Sequence, residues 1–406
     1  MAGKPRGETP LVRQGEDRRE DTFKMEPLLV EGRGELADLA LDLAQKAAGL
    51  KRSLPAPFVV SLADLVRAMN CYYSNLIEGH DTRPIDIERA LRKDYSKDKK
   101  KRDLQREAVA HIAVQQWIDA GGLSGPAASI ENIREIHRRF CQQLPPDLLW
   151  VENPTTKERM EVVPGALRQN DVVVGRHVAI SPGAVPRFLA RYADVYGKLG
   201  KADTIVAAAA AHHRLAWIHP FADGNGRVAR LLSHAMLLHA LDSGAIWSVA
   251  RGLARSVESY KGHLQACDEA RRGDRDGRGN LSEQALLEFT RYFLETCIDQ
   301  VDFMERLVQP DKLHARILGW ARDEVRRKKL LPRSVHILEI VLARGQMHRD
   351  ELRLSIGTGD RQLRRTVSEL LELGVLTSEG QAAPVKLGFP AALAPQWMPG
   401  LFPEGA

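Results

Sequence analysis

His219-Pro220-Phe221-Ala222-Asp223-Gly224-Asn225-Gly226-Arg227-Val228-Ala229-Arg230 stands between an alanine run, Ala207 to Ala211, and a stretch with apolar residues at Val228, Leu231, Leu232, Ala235 and Leu238. Alanine is the strongest helix former, and the second spacing is that of one helix face. The run therefore reads as a loop entering a helix N-terminus, inside a chain that is mainly α.

The residue types in that loop belong to phosphate chemistry. Gly224-Asn225-Gly226 lets successive backbone N–H groups turn toward one point, where the following helix adds partial positive charge. Arg227 and Arg230, three positions apart on the first turn, flank the same point and suit a polyphosphate. Asp223 sets a carboxylate beside an anion site, which is favourable only when a hard cation such as Mg2+ bridges it to phosphate oxygens. His219 offers an imidazole, whose ordinary pKa of about 6.5 lies near neutral pH, and is the natural general base for an attacking hydroxyl. Base, metal ligand, anion nest and charge clamp together describe an in-line transfer. His212 and His213, inside the alanine-rich helix, read as packing or supporting residues.

The rest of the sequence sets the frame. At 406 residues two or three domains are expected, and 44% hydrophobic, 28% charged and 6% aromatic residues describe a helix-rich globular protein. A net charge of +6 suits an acidic partner such as nucleotide phosphate without choosing one. Cys71, Cys141, Cys267 and Cys297 form no CxxC pair, which argues against a zinc site and a disulfide framework and fits a reducing cytoplasm. No stretch approaches the roughly 20 apolar residues of a membrane span, and the charged N-terminus does not read as a signal peptide.

Along the chain, residues 1–25 are charged and poor in apolar side chains and read as a disordered arm. Residues 26–125 form an N-terminal helical region, with one helix over 61–79 carrying Leu62, Leu65, Val66, Met69 and Tyr73 on one side. The basic run from Lys97 to Arg102 reads as a solvated loop and helix start, with a nucleic-acid or protein docking patch as the alternative. Val172-Val173-Val174 and Val178-Ala179-Ile180 around Gly175-Arg176 predict a hairpin, the one clear β element before the C-terminus. Residues 311–390 show three helical stretches and two short β-branched segments, the pattern of a winged helix-turn-helix, with 391–406 as a tail.

The loop matches the Fic family signature HxFx[D/E]GNGRxxR at every defined position, and residues 126–310 thus resemble a Fic-type catalytic core. The resemblance implies a helical core that binds ATP with Mg2+ and transfers AMP to a target-protein hydroxyl. It implies His219 as base, Asp223 as magnesium ligand, Gly224, Asn225 and Gly226 as phosphate cradle, Arg227 and Arg230 on the outer phosphates, and Phe221 as an anchor. The hairpin, with Val172, Val173, Val174, Gly175, Val178 and Ile180, resembles the family's flap, which docks an extended target segment as an added strand.

Ser74-Asn75-Leu76-Ile77-Glu78-Gly79 resembles the family's inhibitory [S/T]xxxE[G/N] motif, N-terminal to the signature. Glu78 would then pair with Arg230 and hold ATP in an unproductive pose. In some relatives the same glutamate directs a water that removes AMP, so the direction of the reaction stays open, as does transfer of another group. Self-modification and a homodimer also stay open. A different class of function is a DNA-binding regulator using Arg361, Arg364 and Arg365 on the third C-terminal helix.

Overall fold

The structure, a computed structural model, describes residues 15–30, 34–152, 157 and 159–403. Helices dominate, with three small antiparallel sheets among the described residues. The chain divides into two compact units, one of residues 1–33, 123–233 and 261–290, the other of 34–122, 234–260 and 291–406. The expected order of arm, N-terminal region, core, C-terminal module and tail is therefore replaced by interleaving. The N-terminal helices and the C-terminal module share one unit, because their apolar faces cover each other.

In the first unit the helix Lys201–Ile218 is buried along its alanine run, since side chains this small let neighbouring helices approach closely. Val185–Tyr196 packs beside it, and Tyr192 donates its hydroxyl hydrogen to the Ala211 carbonyl at 3.1 Å. Ile130–Gln142, a helix that the sequence reading did not single out, is capped by Ser129, whose hydroxyl accepts the Asn132 N–H at 3.2 Å. It buries Ile133, Ile136, His137 and Phe140 on one face.

Two expectations fail in this unit. Residues 15–25, read as part of a disordered arm, are ordered, while 1–14 lie outside the described residues. The charges that suggested disorder are matched: Arg187 pairs with Asp17 at 2.9 Å, Glu20 accepts the Ser181 N–H at 2.9 Å, and Met25 is fully buried. The hairpin at Val173–Val174 and His177–Val178 is preceded by another, Trp150–Glu152 with Arg159–Glu161, whose mixed polar sequence carries no clear alternation.

In the second unit the helix expected from Ser61 runs over Ala56–Ile77. Pro57 lies in its first turn, where a missing N–H leaves nothing unbonded, so the proline starts the helix instead of blocking it. Gly79, at φ 82°, ends it. The C-terminal helices Ser334–Arg344, Arg349–Ile356 and Asp360–Glu372 accompany a sheet in the order Gln346–Met347, Val385–Leu387, Leu376–Thr377. Its first strand was not read from sequence. This module packs on Ala56–Ile77: Phe58 meets Phe389 edge-on at 5.5 Å. Residues 391–403 are no loose tail: Trp397 and Leu401 are buried, Tyr73 donates to the Leu401 carbonyl at 2.9 Å, and Tyr72 meets Phe402 edge-on. All four cysteines are free thiols and buried. No helix among the described residues is long and apolar enough to cross a membrane.

Candidate active site

The loop is built between two helices of the first unit. His219 ends Lys201–Ile218 in the left-handed region, at φ 50° and ψ 63°, and its N–H still reaches the Leu215 carbonyl at 3.0 Å. Left-handed geometry is strained for a residue with a Cβ, by roughly 1 kcal/mol or more, so the surroundings must hold it. The half-buried His219 ring lies with Nδ1 3.4 Å from the Ala216 carbonyl, an acceptor only.

Asn225 starts the next helix and braces the loop from inside. Its Oδ1 accepts the Phe221 N–H at 2.9 Å and its Nδ2 donates to the Phe221 carbonyl at 2.8 Å. Both polar ends of its side chain are thereby engaged within the loop. Val228 donates to the Gly224 carbonyl at 3.0 Å, so the amides of Asn225 and Gly226 stand ahead of the helical bonding ladder. Asp223 is exposed, whereas Arg227 and Arg230 are buried, and the Arg227 guanidinium lies 5.2 Å over the Phe140 ring.

Beneath the loop, Phe221 is fully buried and stacks on His137, with ring centroids 3.9 Å apart and planes 3° from parallel. Nδ1 of His137 accepts the Gly165 N–H at 2.9 Å, so Nε2 carries the proton and faces Cys141 Sγ at 3.4 Å. Burial holds the imidazole down at about 4, against a weaker upward effect of a hydrogen bond to the Asp223 backbone. Burial likewise pushes the Cys141 thiol up to about 12, so it is no nucleophile at neutral pH.

Arg168, 3% exposed, holds the loop's other flank. Its Nε donates to the His219 carbonyl at 2.7 Å, and its own N–H bonds the Pro220 carbonyl at 2.9 Å. Burial holds its guanidinium down at about 10, still protonated at neutral pH. Neither His137 nor Arg168 was found in the sequence, where the only signal was one histidine on an apolar helix face and one arginine in an irregular stretch. His212 and His213 are packing residues as expected. Burial holds them at about 3 and about 4, and they meet Ser233 Oγ at 2.9 Å and Asp268 Oδ1 at 3.0 Å.

The expected flap is a two-pair ladder, Val173 with Val178 and Val174 with His177. Gly175 has φ 61° while Arg176 does not turn positive, the pattern of a type II′ turn. Val172 and Ile180 lie outside the strands, and the Val172 carbonyl accepts the Ala179 N–H at 3.2 Å. Val173, Val174 and Val178 are exposed, whereas Ile180 is buried. His177 Nε2 donates to the Trp217 carbonyl at 2.8 Å, tying the hairpin to the helix that ends at His219. A cleft of about 400 Å³ lies beside the segment that enters the hairpin, lined among others by Val172, Asn170, Met160 and Ala222 of the loop.

Ser74, Glu78 and Gly79 belong to the second unit, and Arg230 to the first. Ser74 is fully buried in its helix, Glu78 is the exposed C-cap, and His80 donates to the Asn75 carbonyl at 2.9 Å to close the helix end.

Residues 127–237 match the Fic/DOC family model. The chain is 29% identical over 171 residues to the protein adenylyltransferase Fic of Drosophila willistoni, covering 42% of this chain and 31% of that protein. For the Drosophila erecta protein of the same name the identity is 28%, covering 42% and 32%. The chain thus matches about a third of the length of these curated relatives. Among solved structures, a Fic family protein from Desulfovibrio desulfuricans has a TM-score of 0.48 at 16% identity, covering 86% of this chain and 95% of that one. A Fic domain containing signaling protein from Bacteroides thetaiotaomicron has 0.49 at 21%, covering 66% and 96%. Residues 127–237 thus carry a Fic domain.

Proposed function

We propose that this chain is a protein adenylyltransferase that transfers AMP from ATP to a hydroxyl of a target protein and is held in check by Glu78. The observation that carries the reading is the loop itself. One side-chain brace, Asn225 on Phe221, joins the turn that carries His219 to a helix N-terminus whose leading amides precede the bonding ladder. In the reaction the target oxygen forms a bond to the α-phosphorus of ATP while the bond to the β-phosphate oxygen breaks and pyrophosphate leaves. The hydroxyl proton goes to His219 Nε2. The leading amides and the two arginines bind the polyphosphate and hold its α-phosphorus in line.

Magnesium fits the donor set at Asp223. No group of three or more His, Cys, Asp or Glu side chains gathers among the described residues. A single exposed carboxylate beside a phosphate nest suits a cation that takes most of its ligands from phosphate and water. When bound, Mg2+ would neutralise charge on the phosphates. The exposed valines of the flap offer a strand edge to an extended target segment. An inhibitory Glu78 needs to hold only about 2.7 kcal/mol to keep 99% of the molecules off, within the range of one charge-assisted pair.

The test is intact-mass spectrometry after incubation with ATP and Mg2+, together with labelling of lysate proteins by tagged ATP. Glu78→Gly is expected to add AMP-sized adducts above wild type, and Glu78→Gly with His219→Ala to add none. Equal labelling by all three forms would overturn the proposal. Adduct loss from labelled protein on adding wild type would support removal of AMP as the prevailing direction.

A second reading concerns the C-terminal module, whose arrangement of helices and sheet supports a winged helix-turn-helix. Arg361, Arg364 and Arg365 are exposed on Asp360–Glu372, while Leu363, Val367 and Leu370 are buried on its other face. Such a face suits duplex DNA. Gel shifts on random duplex are expected to weaken steeply with salt and to disappear in the triple Arg→Ala variant. No shift at low salt would remove this reading.

A further inference from the structure

Arg168 touches more than the base-bearing turn. Besides the His219 carbonyl at 2.7 Å, its Nη2 donates to the Ile180 carbonyl at 2.5 Å and lies 3.4 Å from the Ile218 carbonyl, and its Nη1 donates to the Asn170 carbonyl at 2.8 Å. Asn170 stands where the chain enters the flap hairpin and Ile180 where it leaves. One planar guanidinium thus joins three backbone segments: the turn that aims His219 and both feet of the hairpin. All four side-chain bonds end on carbonyl oxygens, so the buried charge is balanced by oriented backbone dipoles.

The requirement for arginine follows from shape. Its donors lie in one rigid plane and diverge, so they reach carbonyls on opposite sides simultaneously, whereas an ammonium is a point charge on a flexible stem. The link is also direct. If the hairpin shifts, the Ile180 and Asn170 carbonyls move the guanidinium, and its Nε bond pulls on the carbonyl of a residue in a strained conformation.

We propose that Arg168 is a positioning residue for AMP transfer: it fixes the base-bearing turn to both feet of the flap, and so sets the spacing between His219 and the backbone of a docked target strand. The inference rests on the adenylyltransferase reading for its functional consequence, but the mechanical coupling stands without it. Arg168 meets neither ATP nor the target hydroxyl in this role. Its loss should therefore slow the transfer step and leave nucleotide affinity intact.

The first test uses no activity. Hydrogen exchange of the full chain is compared for wild type and Arg168→Lys. Exchange is expected to rise at least tenfold in peptides covering both 172–180 and 218–224, with Ala56–Ile77 unchanged. A rise in only one of the two segments, or in neither, overturns the coupling. If the variant does not fold, native-state exchange of the unmodified protein decides instead: the Ala179 and Arg168 amides should open with protection factors agreeing within threefold across denaturant, and a tenfold disparity overturns the proposal.

The second test is kinetic, in the Glu78→Gly background. Arg168→Lys is expected to lower kcat for labelling at least thirtyfold, with the KM for ATP unchanged within twofold. A rise in the KM for ATP with kcat unchanged overturns the positioning role. If the Glu78→Gly parent itself transfers no AMP, the adenylyltransferase reading falls, while the exchange experiment still judges the brace.

Discussion

The signature loop and the flap hairpin lie in the same unit and were both read from sequence, yet they are held in opposite ways. The loop is gripped from every side: Asn225 spans it, Phe221 stacks on buried His137 below it, and Arg168 bonds its flank. The hairpin has two residue pairs, a glycine turn and three exposed valines, and is fastened at its feet and through His177. The proposed function gives the difference a reason. Phosphate chemistry is the same in every turnover, so its groups gain from being fixed in advance. On the proposed function the hairpin is a docking edge, which must accept a strand it does not contain.

The sharpest way to break this contrast is to unpin the loop. Phe221→Ala removes a fully buried ring from a stacked pair and should destabilise the first unit by about 3–5 kcal/mol. A urea melt followed by near-ultraviolet circular dichroism reads the loss, and a change under about 1 kcal/mol would mean that the loop is not held from below.

The next largest effect is in acid. His137 is held down at about 4 from an ordinary 6.5, so the folded state resists the proton that the unfolded chain accepts. The stability it contributes is present above 6.5 and is lost as pH falls toward 4, about 3 kcal/mol over that window. His137→Gln should therefore flatten the decline of the urea midpoint between those limits. His212 and His213 shift in the same direction but remain in both proteins, so the difference isolates His137.

Backbone strain gives a smaller and more specific effect. At the φ of 50° adopted by His219, glycine is the unstrained residue, so His219→Gly should be about 1 kcal/mol more stable than His219→Ala. Thermal melts of the two compare them directly, and equal melting would mean that the turn is relaxed. Both should be inactive in AMP transfer, which separates the residue's chemistry from its geometry.

The smallest stability effect is expected in the hairpin. Val173→Ser with Val178→Ser should change stability by no more than about 0.5 kcal/mol, because both side chains already face solvent. Labelling of lysate proteins in the Glu78→Gly background should nevertheless fall at least fivefold. Unchanged labelling would remove the hairpin from target docking.

What could be read in the sequence follows the same division. The loop was legible because its chemistry is local: base, carboxylate, glycines and arginines are consecutive, and each residue type limits what can be done there. The hairpin was legible from its β-branched runs on either side of Gly175-Arg176. The supports were not, because His137 and Arg168 act through main-chain partners distant in sequence, and a hydrogen bond to a carbonyl leaves no trace in the residue that provides it. The interleaved units were hidden for a related reason. Tyr73 finds its partner at Leu401, so the boundary expected before residue 311 divides a packed whole. The ordered stretch 15–25 was misread because charge was counted without knowing that Arg187 and Ser181 wait to receive it.

The buried thiols have a practical consequence. Cys141 and Cys267 are pushed up to about 12 by burial, Cys297 is raised further, and Cys71 is fully shielded. The native chain is therefore its own silent background for alkylating dyes. A cysteine introduced at Arg176, on the hairpin tip, would carry the only readily reactive sulfur, and fluorescence from that point could follow a strand arriving at the edge in real time.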